Sequence, residues 1–75
     1  MKSYQITYMT EDGSFKTVCH WALRNEAWEE VADSKFGTVM SVLEELRYDR
    51  YSGTRCRVLL DASVYGRMKG DIVYV

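Results

Sequence analysis

Hydrophobic and polar residues alternate along the first 22 positions of the chain, in the pattern of two half-buried β-strands. Between the two alternating runs stands Asp12-Gly13, a dipeptide typical of two-residue type I′ hairpin turns. A two-residue turn fixes which residues face each other across the hairpin. The predicted core-facing pairs are Tyr4 with Trp21, Ile6 with Cys19, Tyr8 with Thr17 and Thr10 with Phe15.

A helix is predicted after this hairpin. Asn25 is placed to cap its N-terminus, Trp28 is its main core anchor, and Gly37 ends the segment. The apolar stripe of the helix consists of Ala27, Trp28, Val31 and Ala32. Its opposite side carries Glu26, Glu29, Glu30 and Asp33. That acidic side is either a solvated helix face or a docking patch.

Residues 38 to 48 fit two patterns. Their apolar spacing suits a helix, whereas their β-branched residues favour a strand, and the strand is the preferred prediction. Ser52-Gly53 then turns the chain into a strand over residues 54 to 60, and residues 72 to 75 form a closing strand. The predicted class is α+β, an antiparallel sheet in the order ββαβββ with one helix packed on one face. A second short helix at 38 to 48 is the alternative.

Composition limits what the chain can be. Its 75 residues make one domain, 1 to 75, and its 47% hydrophobic content is ordinary for a globular protein. No apolar run approaches the length of a membrane span, and the first residues lack the apolar stretch of a secretory signal. We expect a cytoplasmic protein without a membrane partner.

No side-chain motif points to catalysis. Cys19 and His20 are adjacent, but neighbouring side chains on a strand point to opposite faces, so they form no dyad. Cys19 is predicted to be buried and His20 to point outward. The two cysteines match neither a disulfide framework nor a zinc spacing, and no phosphate loop is present. We therefore expect a protein that is not an enzyme and uses no cofactor or metal.

Charge is divided unevenly along the chain. Residues 1 to 45 carry four basic and eight acidic side chains, whereas residues 46 to 75 carry six basic and three acidic ones. Tyrosines are interleaved with the arginines of the basic part, and Arg and Tyr are enriched in protein interfaces. The predicted partner-binding residues are Arg47, Tyr48, Arg50, Tyr51, Arg55, Arg57, Arg67 and Lys69. The alternative is that these arginines only coat the solvent face of the sheet.

The segment Gly37-Thr38-Val39-Met40, after an alanine-bearing helix and a short hairpin, resembles small phage-encoded inhibitors of the type I-F anti-CRISPR kind. The resemblance covers residues 22 to 45. It implies a stoichiometric inhibitor that blocks a nucleic-acid-binding surface of a bacterial complex. It assigns no role to any individual residue.

The sequence therefore predicts a small protein-binding module, a phage-type inhibitor or regulator of a bacterial protein or nucleoprotein complex. The alternative is a single-stranded nucleic-acid-binding protein in which tyrosines stack on bases and arginines meet phosphates. A structural subunit is a further class. Because no proline protects the strand edges, a homodimer through a sheet edge is also open.

Overall fold

Five antiparallel strands form one sheet, and a short helical segment packs on one of its faces. The computed structural model describes all 75 residues. The strands are β1 (Lys2–Met9), β2 (Phe15–Ala22), β3 (Thr38–Asp49), β4 (Gly53–Asp61) and β5 (Ile72–Tyr74). Their order across the sheet is β2-β1-β3-β4-β5. The predicted α+β class and element order are confirmed, and residues 38 to 48 are a strand without a second helix.

The register of the first hairpin differs by one residue from the prediction. Tyr4 pairs with His20, where Trp21 was expected. The cause is a three-residue loop, closed by a 2.8 Å hydrogen bond from the Thr10 N–H to the Ser14 carbonyl. Only Gly13 in this loop has a positive φ, of 84°, whereas a type I′ turn needs two such residues. The loop is therefore a type I turn followed by a left-handed glycine.

The shift leaves the two faces of β1 as predicted and exchanges the two faces of β2. Tyr4, Ile6 and Tyr8 are buried on the face that carries the helical segment. On β2, however, His20 points to this face and Cys19 is exposed on the other. The predictions that Cys19 is buried and that His20 points outward are wrong, because a slip of one residue moves every side chain of a strand to the opposite face.

The helix is shorter than predicted. It consists of one turn, α1 (Trp28–Val31), followed by a 3₁₀ turn at Ser34–Phe36. Asn25 does not cap it but lies in the left-handed region with φ 59°. Two buried tyrosines form hydrogen bonds with backbone groups on either side of this turn. The Tyr4 hydroxyl donates to the Glu26 carbonyl (2.7 Å), and the Tyr8 hydroxyl accepts from the Asp33 N–H (3.1 Å). Those groups are then not available to a longer helix.

The main core lies between the sheet and the helical segment. Its fully buried members are Tyr4, Ile6, Tyr8, Ala22 and Val42. Trp28, the predicted anchor, is half-buried and packs against this cluster together with Phe36. A second, smaller cluster on the opposite face consists of Leu43, Cys56 and Val58, with Val73 beside it. No helix of the structure has the length and apolar character needed to cross a membrane.

The loop between β4 and β5 is organised by one carboxylate. The Asp61 side chain is fully buried; its Oδ1 accepts hydrogen bonds from the N–H and hydroxyl of Ser63, and its Oδ2 accepts from the N–H (3.2 Å) and Nε (2.7 Å) of Arg67. These donors, first the Ser63 hydroxyl and then Arg67, hold the pKa of Asp61 well below its usual range. The loop is thereby fixed to the end of β4.

Candidate functional site

Two arginines face each other across the hairpin that β3 and β4 form. Arg47 on β3 is the direct register partner of Arg55 on β4. The pair follows an irregularity between Glu45 and Arg47, which leaves Leu46 without a partner on β4. Directly opposed side chains in an antiparallel pair have Cβ atoms about 5 Å apart, and like charges there destabilise the sheet. This opposition is therefore electrostatically unfavourable within the sheet.

None of the three arginines nearest the hairpin turn has a carboxylate partner. Arg47, Arg50 and Arg55 make no ion pair within 4.0 Å. Asp49 lies at the same end of the hairpin, but its carboxylate accepts from the backbone N–H of Tyr51 at 2.8 Å and so organises the turn. The hairpin therefore concentrates three guanidinium groups that have no direct ion pair, with the Asp49 carboxylate lining the same pocket as Arg47 and Arg55.

The turn of the hairpin carries an exposed tyrosine that is paired with an arginine. The Arg50 guanidinium carbon lies 5.1 Å from the Tyr51 ring centroid, and its Nη2 donates to the tyrosine hydroxyl at 3.3 Å. Tyr51 is 87% exposed. Stacking holds the guanidinium over the ring, while its other donors remain free for a partner.

Arg57 lies on the same sheet face as Arg55 but is partly compensated. Its Nη1 lies 3.5 Å from the carboxylate of Glu44, its register partner on β3, and Lys2 lies 3.8 Å from the same carboxylate. Glu44 is largely buried and thus neutralises the inner part of this face. Arg57 forms the border of the basic surface.

Arg67 and Lys69 are not brought together with the hairpin arginines. Arg67 is bonded to Asp61 at the far end of β4, about 25 Å along the strand from Gly53. Its guanidinium carbon also lies 5.6 Å from the Tyr65 ring centroid. Lys69 precedes Gly70, whose N–H donates to the Val58 carbonyl near the middle of β4. Neither residue lies at the turn end of the hairpin.

The tyrosines of the predicted surface do not share one face. Tyr48 pairs with Thr54, so it points to the face opposite Arg47 and Arg55. Tyr48 and Trp21 line one groove on that face and are 71% and 60% exposed. Tyr65 belongs to the β4–β5 loop. Arg47 also lines this groove, and Arg55 is the register partner of the exposed Tyr74 on β5, so aromatic side chains accompany the arginines on both faces of the sheet.

A polar cluster occupies the sheet face that the helix leaves open. The Glu45 carboxylate accepts hydrogen bonds from Ser3 Oγ and Gln5 Nε2, both at 3.0 Å. Cys19 Sγ lies 3.3 Å from the Ser3 hydroxyl and 3.9 Å from Glu45. Nucleophilic cysteines lie beside a cation or an imidazole, whereas the neighbours of Cys19 are a hydroxyl and a carboxylate. The cluster is therefore not arranged like a nucleophilic centre.

The single histidine belongs to the core side of the sheet. The Tyr8 hydroxyl accepts the Asp33 N–H and shares a second hydrogen bond, of 2.7 Å, with His20 Nε2. The Phe36 ring lies against both, with centroid separations of 5.4 Å to Tyr8 and 6.1 Å to His20. This arrangement ties the 3₁₀ turn to β1 and β2.

Burial also raises the pKa of the second cysteine, Cys56.

A comparison of the chain with protein-family models, curated proteins and solved structures finds no match. The assignment of function therefore depends on the geometry of the chain itself.

Sequence reasoning placed Arg47 and Arg55 in one surface but missed their direct opposition. That opposition depends on the irregularity at Leu46, for which the sequence carries no signal. The Glu45 cluster was missed for another reason: the one-residue error in the first hairpin placed Cys19 on the wrong face. The uneven charge distribution is the sequence signal that points to the arginines of this hairpin.

Proposed function

We propose that this protein is a non-enzymatic binding module, an inhibitor or regulator of a bacterial protein or nucleoprotein complex. Its β3–β4 hairpin binds an acidic protein surface of that partner. The observation that carries the proposal is the opposition of Arg47 and Arg55 without a carboxylate within ion-pair distance. A partner carboxylate placed between them turns a repulsion into charge-assisted hydrogen bonds to both guanidinium groups.

The shape of the hairpin supports a protein partner. Arg50 with Tyr51 forms an exposed tip, and Arg47 with Arg55 forms a base on one face. Arginine and tyrosine are the residues that most often carry binding energy at protein interfaces. A stoichiometric inhibitor, the class that the sequence resembles, acts through such a surface without chemistry.

A nucleic-acid partner fits this geometry less well. Base stacking along a strand needs aromatic rings in a row beside the basic groove, but Tyr48, the partner of Thr54, and Tyr74, the partner of Arg55, lie on opposite faces of the sheet. The whole chain also has a net charge of −1. Nucleic-acid binding is therefore an outcome that the experiment must distinguish from protein binding.

The test is affinity capture from bacterial lysate with the tagged protein, with and without nuclease and at two salt concentrations. We expect a specific protein that survives nuclease and is lost from the variant Arg47→Glu/Arg55→Glu. The matched control is Arg24→Glu/Lys69→Glu, because both residues lack an ion pair and the net charge changes equally. The control should retain capture.

Three results would contradict the proposal. Equal loss of capture in both double variants would show a general charge effect without a specific surface. Retention in Arg47→Glu/Arg55→Glu would show that binding occurs elsewhere. Recovery of nucleic acid alone, lost steeply as salt increases, would favour the single-stranded nucleic-acid alternative.

A further inference from the structure

The outer edge of β2 is open along its length. The bond between Thr10 and Ser14 closes the hairpin, and bonded and non-bonded pairs alternate along an antiparallel ladder. The bonded pairs of β1 and β2 therefore involve Lys16, Val18 and His20. The residues between them direct their N–H and C=O groups away from β1; these are Phe15, Thr17, Cys19 and Trp21. β1 is the sole neighbour of β2, and these groups make no other backbone hydrogen bond.

This edge has few of the features that protect edge strands. Its pairing with β1 is regular over all eight residues, without a bulge, and it contains no proline. Its one charged residue is Lys16, whose ammonium lies 5.0 Å from the Phe36 ring centroid, on the helix face. The opposite edge of the sheet, β5, has three residues. Natural edge strands usually carry charges, bulges or proline against pairing with another chain.

We propose that the β2 edge pairs with the β2 edge of a second copy of this chain, antiparallel and centred on Val18. In this register Phe15 faces Trp21 of the second copy, and Thr17 faces Cys19 of the second copy. All residues of both strands whose N–H and C=O groups point away from β1 then form hydrogen-bonded pairs between the two copies. A shift of two residues in either direction leaves one such residue of each copy without a partner, so the centred register makes the most hydrogen bonds.

The side chains are self-complementary in the same register. Phe15 and Trp21 are 64% and 60% exposed in one copy, and a two-fold axis at Val18 brings them together twice on one sheet face. Aromatic cross-strand pairs are among the stabilising contacts of sheets. On the helix face, Lys16 faces His20 of the second copy in this register. The exposed aromatic side chains of the edge therefore fit a second copy.

The first arm of the test measures the dimer dissociation constant by sedimentation equilibrium. Thr17→Pro removes an outward N–H that β1 does not use, and proline is tolerated on edge strands at such positions. We expect the dimer dissociation constant to rise by about tenfold or more, since two intermolecular hydrogen bonds are lost per dimer. Thr7→Val is the control: it removes the same Thr7–Thr17 hydroxyl contact (2.8 Å) but leaves the edge intact, so the dimer should persist.

The second arm tests the register by oxidation and retains every backbone donor. Thr17→Cys places a thiol opposite Cys19 of the second copy, at a Cα separation of about 5.5 Å that suits a disulfide. The native Cys19 residues of two copies are about 8 Å apart in this register, too far to bridge. We expect a covalent dimer from the variant and not from the native chain.

The proposal is overturned by any of three results. The native protein could remain monomeric at millimolar concentration, or Thr17→Pro could dimerise as tightly as the native chain. The native protein could also cross-link through Cys19 while Thr17→Cys adds nothing, which would show a different register. Because β2 and the β3–β4 hairpin lie in different parts of the sheet, these results are independent of partner capture.

Discussion

Replacing Asp61 with asparagine should destabilise the protein without affecting the hairpin arginines. Asn can still accept from Ser63 with its oxygen, but its amide NH₂ then faces the Arg67 N–H and Nε donors. A charged hydrogen bond contributes about 1.5 to 3 kcal/mol, and an orphaned buried donor costs about 1 kcal/mol more. We therefore expect the free energy of unfolding to fall by about 2 to 4 kcal/mol.

The sign of the pH dependence follows from the lowered pKa of Asp61. A carboxylate with a folded-state pKa below its unfolded value stabilises the protein above that unfolded value, near pH 4, and loses this contribution as pH falls. The native protein should lose stability steadily below about pH 4. Asp61→Asn should show a flatter dependence in the same range, because the variant lacks the titrating group.

Urea unfolding followed by tryptophan fluorescence at several pH values measures both effects. Asp71→Asn is the control in the same loop, since this exposed carboxylate accepts one hydrogen bond, from the Met68 N–H at 3.1 Å, and should lose less than about 1 kcal/mol. If Asp61→Asn matches this control at neutral pH, Asp61 does not organise the loop. Arg67 would then be free to act as a binding residue.

Three further predictions are tested by urea unfolding, two of them with a matched control variant. Tyr8→Phe removes a hydroxyl that bridges the Asp33 N–H and His20 Nε2, and should lower the free energy of unfolding by about 2 to 3 kcal/mol. Tyr4→Phe removes a hydroxyl that donates one hydrogen bond and should lower it by about 1 kcal/mol. Equal losses in the two variants would contradict the bridging role of Tyr8. Gly37→Ala places a Cβ 2.1 Å from a backbone oxygen at φ 129° and should cost more than 2 kcal/mol, whereas Gly66→Ala, at φ 57° in open space, should cost about 1 kcal/mol. Trp28→Ala should cost about 3 kcal/mol, and a neutral result would show that the helical turn does not anchor the core.

The sequence predicted the strands well because their signals are local. The alternation in β1 identified Tyr4, Ile6 and Tyr8 as core residues, and the β-branched residues of β3 favoured a strand over a helix. These patterns depend on the side chains of one segment and need no knowledge of the rest. The fold class and the element order followed from them.

The errors arose where distant contacts decide local structure. Asp12-Gly13 is compatible with two loop types, and the inclusion of Glu11 in the loop reversed the faces of β2. The length of the helix was overestimated because buried tyrosine hydroxyls from β1 form hydrogen bonds with backbone groups on both sides of α1. No local pattern reveals such contacts. The same holds for the irregularity that places Arg47 opposite Arg55.

We infer that the hairpin retains the opposed Arg47 and Arg55 because a partner binds them. Arg55→Glu replaces the repulsion with an attractive cross-strand pair to Arg47, which should raise the free energy of unfolding by about 0.5 kcal/mol. The most direct measurement is therefore nuclease-treated affinity capture with this single variant beside the native protein. We expect the captured protein to be lost from this variant, which is folded and at least as stable as the native chain. Undiminished capture by Arg55→Glu would show that the partner does not bind the arginine pair.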